Sequence, residues 1–353
     1  MAEPQVEPRP GSDARAAEAR PVFAGALLAT FARTPMWLTV FALELVLALA
    51  PAIAWGTWMS TASEHRYAPD SLFADLGTVF RFDHRRSMAL LDDTNARGAS
   101  GLALAAMLLG CFCAGGWLQV FLERTHAHTL RRFFLGGSRY FWRFFRVFLL
   151  TILSLALLGY VAYGAPWNAV VLHWIHHVPA TDYERLETLT SEQTVFTLRF
   201  AQNAFYAVLF ALVLVWGDYT RTRIALHDTG SAVWAGLCTW FTLLRHPIKT
   251  IRPMLWLSII EVSVVLVAGV FARKIEGDFG AHSALAGVLL LFVIGEMALA
   301  WRVILRGARY GAAVQVSREV VRPIARPDPW KASFGPPYGP RYPLGGDEFG
   351  MSL

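Results

Sequence analysis

Six long apolar runs, near residues 36–58, 99–122, 144–165, 200–217, 254–272 and 281–305, alternate with polar stretches along the chain. Each reaches or approaches the ~20 residues that a helix needs to cross about 30 Å of hydrocarbon. The pattern therefore predicts an all-α, polytopic helical membrane bundle with six transmembrane helices. The two ends differ from this middle. Residues 1–20 mix Pro, Ala and charge without apolar periodicity, and residues 323–353 are Pro- and Gly-rich. Both read as disordered tails flanking a membrane domain at 21–322. The start is not that of a signal peptide, because no short apolar core with a small-residue cleavage site follows a basic stretch.

Shorter patterns precede the odd-numbered spans. VFAGALLATFARTP leads into the first, and VWAGLCTWFTLLRHP leads into the fifth. Both place Ala-Gly, an apolar stripe, then Arg-x-Pro. LRRFFLGGSRYFWRFFRV, before the third span, has the same basic-aromatic character, with a GGS expected to permit a bend. The simplest organisation is three units, each an interfacial amphipathic helix feeding a transmembrane hairpin.

Composition sharpens this picture. The 353 residues are 55% hydrophobic and only 16% charged, well below the roughly one quarter charged in soluble domains. A net charge of +6 would raise nucleic acid as a partner in a soluble chain. Here distribution matters more. With the N-terminus inside, 23 of the 32 Lys and Arg fall on the inner side, so both termini are expected to be cytoplasmic, in a bacterial inner membrane. The basic-aromatic run could stack on single-stranded nucleic acid, but its neighbouring spans point to lipid, and no nucleic-acid partner is expected.

Candidate chemistry follows from polar residues in apolar surroundings. Glu44, Glu261 and Glu296 each sit inside a predicted span, at about 1.5 Å per residue roughly 10–14 Å from its inner boundary. A carboxylate at that depth costs a few kcal/mol (roughly 2.5–3.5 by insertion scales) unless it is paired, neutral or hydrated. A shared pocket would suit a proton relay, a cation site or a lipid head-group cleft; the plainer reading is three groups that lock helix packing. In GDYTRTRIALHD, Asp218 closes the fourth span and Arg221 and Arg223 follow, with Asp218 and Arg221 at pairing distance on a helix. These arginines, with Arg139, Arg143 and Arg146 of the basic-aromatic run, lie where phosphate or anionic head groups would be met.

Other signals are weaker. His173, His176 and His177 have i, i+3, i+4 spacing that could bring two imidazoles to a metal; an interfacial histidine patch is the ordinary alternative. Cys111 and Cys113, two apart in an apolar run, point about 200° apart on a helix and are expected to stay free, as is Cys238. No GxxxxGK[ST], HExxH or GxSxG motif occurs, so no catalytic residue and no cofactor is expected.

The Arg-x-Pro lead-ins, GGSRYFWRFFRVFLL and DYTRTRIAL…WFTLLRHP together resemble a loosely defined group of uncharacterised bacterial six-span proteins. They are also similar to the membrane domain fused to some glycerophosphodiester phosphodiesterases. The resemblance covers most of residues 22–320 and implies an inner-membrane helical bundle concerned with lipids or the envelope. It carries over no catalytic residue, since the phosphodiesterase domain has no counterpart in this sequence. Three functions remain open at this level. The first is a non-enzymatic membrane protein engaging anionic lipids or envelope proteins. The second is a proton- or cation-coupled transporter using the three glutamates. The third, weakest, is an intramembrane enzyme with Asp218 and the arginines lining its site.

Overall fold

The computed structural model describes residues 21–63, 82, 84–123, 128–175, 192–279 and 284–320. The expected tails at 1–20 and 323–353 lie outside these described residues, which form helices and short connections without strands. In chain order the helices are α1 (Val22–Phe31), α2 (Thr34–Ser63), α3 (Arg85–Glu123) and α4 (Thr129–Tyr163). A one-turn α5 (Ala165–Trp167) continues as a π-helical segment, Asn168–Ile175. Then come α6 (Glu192–His227), α7 (Ala232–Arg245), α8 (Pro247–Phe279) and α9 (Ala284–Val320). Six helices, α2, α3, α4, α6, α8 and α9, are long and apolar enough to cross a membrane. They run 30 to 39 residues, about 45–58 Å, so each extends past its apolar core into polar flanks.

The Arg-x-Pro signals end helices where expected. α1 stops at Phe31 and α2 begins at Thr34 with Pro35 in its first turn; α7 stops at Arg245 and α8 opens on Pro247. Proline tolerates a first turn because the N–H it lacks would have no intrahelical acceptor there. Ser231 starts α7, its hydroxyl accepting from the Trp234 N–H at 3.3 Å.

Burial concentrates at one end of the bundle. Met36, Trp117, Phe133, Tyr140, Phe144, Ile224, Met254, Leu257 and Leu305 are all buried; they lie where α2, α4 and α8 begin and where α3, α6 and α9 finish. Toward the other end, large apolar side chains such as Leu153, Leu157, Phe200, Val208, Leu266 and Val270 stand exposed. A helix apolar on every side fits a surrounding of lipid, where such exposure carries no hydrophobic penalty.

The three lead-in segments share one packing rule: each lies against the helix that closes the preceding unit, taken cyclically. α1 packs on α9, the first turns of α4 pack on α3, and α7 packs on α6. Small residues mark all three joints. A Cβ on Gly136 would sit 2.3 Å from Gln119 Cβ and 2.7 Å from the Gly115 carbonyl, and one on Gly115 would sit 2.6 Å from the Gly136 carbonyl. The Trp216 indole crosses Gly236 and donates to its carbonyl at 2.9 Å, and Gly307 makes room for Thr30 and Trp117. This corrects the expected bend at GGS: α4 runs unbroken through residues 136–138. The two glycines serve close approach of α3 and α4, as small residues do between membrane helices. Buried threonines at the joints, Thr30, Thr220 and Thr239, satisfy their hydroxyls on carbonyls four residues back.

Candidate functional site

α9 carries Arg302, Arg306 and Arg309 at i, i+4 and i+7, a spacing that lines all three along one helix face. Two of the singled-out glutamates come to this face from different neighbours. Glu44 of α2 accepts from Arg306 Nη1 at 2.6 Å. Glu261 of α8 faces Arg302 Nε at 3.4 Å and Arg309 Nη2 at 3.6 Å. Both carboxylates are 20% exposed. Glu296 lies on α9 itself, six residues before Arg302 and therefore about 120° away from it around the helix. It does not join the ladder, and its Oε2 is buried without a hydrogen-bond partner.

The ladder borders a cleft of about 230 Å³. Glu44 and Leu47 form one wall, Ala106, Leu109, Gly110 and Cys113 of α3 a second, and Arg302 and Arg306 the third. Three guanidinium groups against two carboxylates leave one positive charge in the network. Arg302 is the most open member, with its side chain 52% exposed. A planar guanidinium with donors left over is suited to grip a carboxylate or phosphate with two parallel hydrogen bonds.

A second charged group lies among α3, α6 and α9. Asp218 binds Arg221 at 3.0 Å, both side chains 15% exposed, and the buried Tyr310 and Cys111 stand beside the guanidinium. Tyr219 donates to the Thr250 carbonyl at 2.9 Å. Arg223 turns toward α7, donating to Thr242 Oγ1 at 3.2 Å and the Cys238 carbonyl at 3.4 Å. In the basic-aromatic segment, Arg139 and Arg143 both engage Asp228, which follows α6 with a φ of 54°, a conformation that Asp tolerates better than most residues. Arg146, one turn further on, is exposed.

Of the histidines, His176 and His177 lie outside the described residues, as does the side chain of His173. Among the described residues no group of three metal-ligating side chains is assembled. Cys111, Cys113 and Cys238 are free thiols, the first two buried.

Sequence reasoning found the glutamates but not their partners. Arg302, Arg306 and Arg309 stand at the end of the last apolar run, and their i, i+4, i+7 spacing was the available signal. Asp228 and Tyr310 carried no local mark, because their partners are set by helices distant in sequence. The chain matches no family model, no curated protein and no solved structure.

Proposed function

We propose that this chain is a non-enzymatic protein of the bacterial inner membrane, with both termini cytoplasmic, that holds anionic lipid head groups at the inner leaflet. The observation that carries this reading is the surplus positive charge of the Arg302–Arg306–Arg309 ladder beside an open cleft. In this reading α1 and α7 lie along the cytoplasmic interface, the first turns of the unbroken α4 project past it, and exposed Arg146 adds charge at the same level. The resemblance to the phosphodiesterase-linked membrane domain supports the same assignment. Protein partners in the envelope would then meet a lipid-loaded surface.

The test is lipid retention, read by native mass spectrometry after purification from membranes rich in phosphatidylglycerol. Arg302→Gln/Arg306→Gln is expected to reduce retained anionic lipid by roughly thirtyfold, taking ~1 kcal/mol per arginine near the surface. Retention equal to wild type would overturn the assignment.

A second reading, proton- or cation-coupled transport, is favoured by one observation: the buried, unpartnered Oε2 of Glu296. Glu44 and Glu261 are already neutralised by fixed guanidinium groups, which leaves Glu296 to carry it. In proteoliposomes this reading requires a proton or cation flux that Glu296→Gln abolishes; no flux in the wild type removes it.

A further inference from the structure

Arg33 is a buried cation that the ladder does not use. It follows α1, in the Arg-x-Pro sequence, and only 7% of it is exposed. Its Nη1 donates to the Ala29 carbonyl at 2.6 Å, closing the end of α1, and its guanidinium carbon stands 4.9 Å from the centre of the Phe121 ring. Its Nε is buried with no hydrogen-bond partner, and among the described residues it has no carboxylate. Burial draws the guanidinium below its usual pKa, since the charged form loses its hydration. A buried charge with an unpartnered nitrogen is uncommon, because its desolvation is otherwise offset by a counter-ion.

A groove provides the space for one. Arg33 and Phe121 form its floor with Ala29, while Gln315 and Arg318 of the last turns of α9 stand at its rim. Its volume is about 200 Å³, far above the ~10–15 Å³ that one water requires. Among the described residues no carboxylate lines it.

The molecule supplies its own comparison. The third unit has a corresponding groove between α6 and α7, lined by Arg223, Thr239 and Thr242, and it is closed to about 20 Å³. There Arg223 uses Thr242 and the Cys238 carbonyl as acceptors. The joint between α9 and α1 is built on the same rule but remains open, and its Arg-x-Pro arginine is buried where the third unit's counterpart, Arg245, is exposed.

We propose that the groove between α1 and the end of α9 binds a phosphate group, with Arg33 as the buried anchor and Gln315 and Arg318 closing over the outer oxygens. The phosphate belongs either to a soluble phosphomonoester or to a lipid head group; both present the same oxygens to Arg33. This site is separate from the arginine ladder and does not depend on it.

The experiment uses the full chain in nanodiscs of neutral phosphatidylcholine, titrated with radiolabelled inorganic phosphate. A parallel arm measures retention of added phosphatidic acid in the Arg302→Gln/Arg306→Gln background, so that the ladder does not contribute. Arg33→Gln is expected to weaken binding by about tenfold to a hundredfold, the range for hydrogen bonds to a charged group. Loss in the phosphate arm assigns a soluble ligand, and loss confined to the phosphatidic acid arm assigns a lipid. Absence of both from the wild type, or binding by Arg33→Gln equal to wild type in both, overturns the site. Should Arg33→Gln not yield monodisperse protein, Gln315→Leu at the exposed rim decides: a several-fold loss is expected, and unchanged binding refutes the proposal. Failure here leaves the ladder's lipid retention to be judged on its own variant.

Discussion

Gly136→Ala is expected to lower stability by about 3 kcal/mol, at the upper end of overpacking costs, and Gly136→Leu to prevent recovery of folded protein. The added Cβ meets Gln119 Cβ and the Gly115 carbonyl at 2.3 and 2.7 Å, and neither is the far end of a flexible side chain. Relief requires moving α3 away from α4, and with it Trp117 and Phe133, which are wholly buried beside that crossing. The check is thermal unfolding of detergent-purified protein, where ~3 kcal/mol corresponds to a fall of about 4 °C at ~2.1 cal/mol/K of unfolding entropy per residue. Gly159→Ala is the control. It lies in the same helix with nothing within 4 Å of a new Cβ, and alanine's better helix propensity, ~1 kcal/mol, should leave stability unchanged or raised. Equal effects at the two positions would contradict the close α3–α4 crossing.

The second large effect is expected at the other end of that crossing. Arg132 and Glu123 form a salt bridge with side chains only 5% and 10% exposed, and Gln119 also donates to Glu123. Removing one member of a buried pair leaves an uncompensated charge, at a cost of about 3–5 kcal/mol. Glu123→Gln should therefore destabilise the protein by that amount. Replacing both as Glu123→Gln/Arg132→Met should recover most of it, since an apolar pair of similar shape needs no charge compensation. A double-mutant cycle on unfolding midpoints reads this directly. Additive single effects, with no recovery in the double variant, would mean that the two groups do not interact.

These two sites lie apart from the arginines of the ladder, although α3 supplies one wall of its cleft. Neither touches Arg302, Arg306 or Arg309, so a reduced unfolding midpoint with unchanged lipid retention in Gly136→Ala would assign the crossing to folding alone.

Much of the architecture was legible in the sequence because it rests on local rules. An apolar run of about 20 residues is helical in lipid, since every backbone polar group must be satisfied within the segment. Six runs therefore meant six long helices. Arg33-Thr34-Pro35 and Arg245-His246-Pro247 marked helix breaks because proline is tolerated best in a first turn, although Pro51 and Pro253 sit inside α2 and α8. Glu44, Glu261 and Glu296 were conspicuous for the same local reason, a carboxylate among apolar neighbours.

Tertiary structure decided which of these groups act together. The three glutamates looked equivalent by depth, yet Glu44 and Glu261 face the arginines of α9 while Glu296, on α9 itself, points about 120° away from Arg302. Depth is set by position along one helix and is readable from a single segment. Direction depends on how each helix is rotated against its neighbours, and that rotation is fixed by contacts 262 residues apart in sequence for Arg306 and Glu44. The GGS of α4 shows the same limit. Two glycines in isolation permit a bend, and only the presence of Gly115 across the interface makes them a contact surface in an unbroken helix.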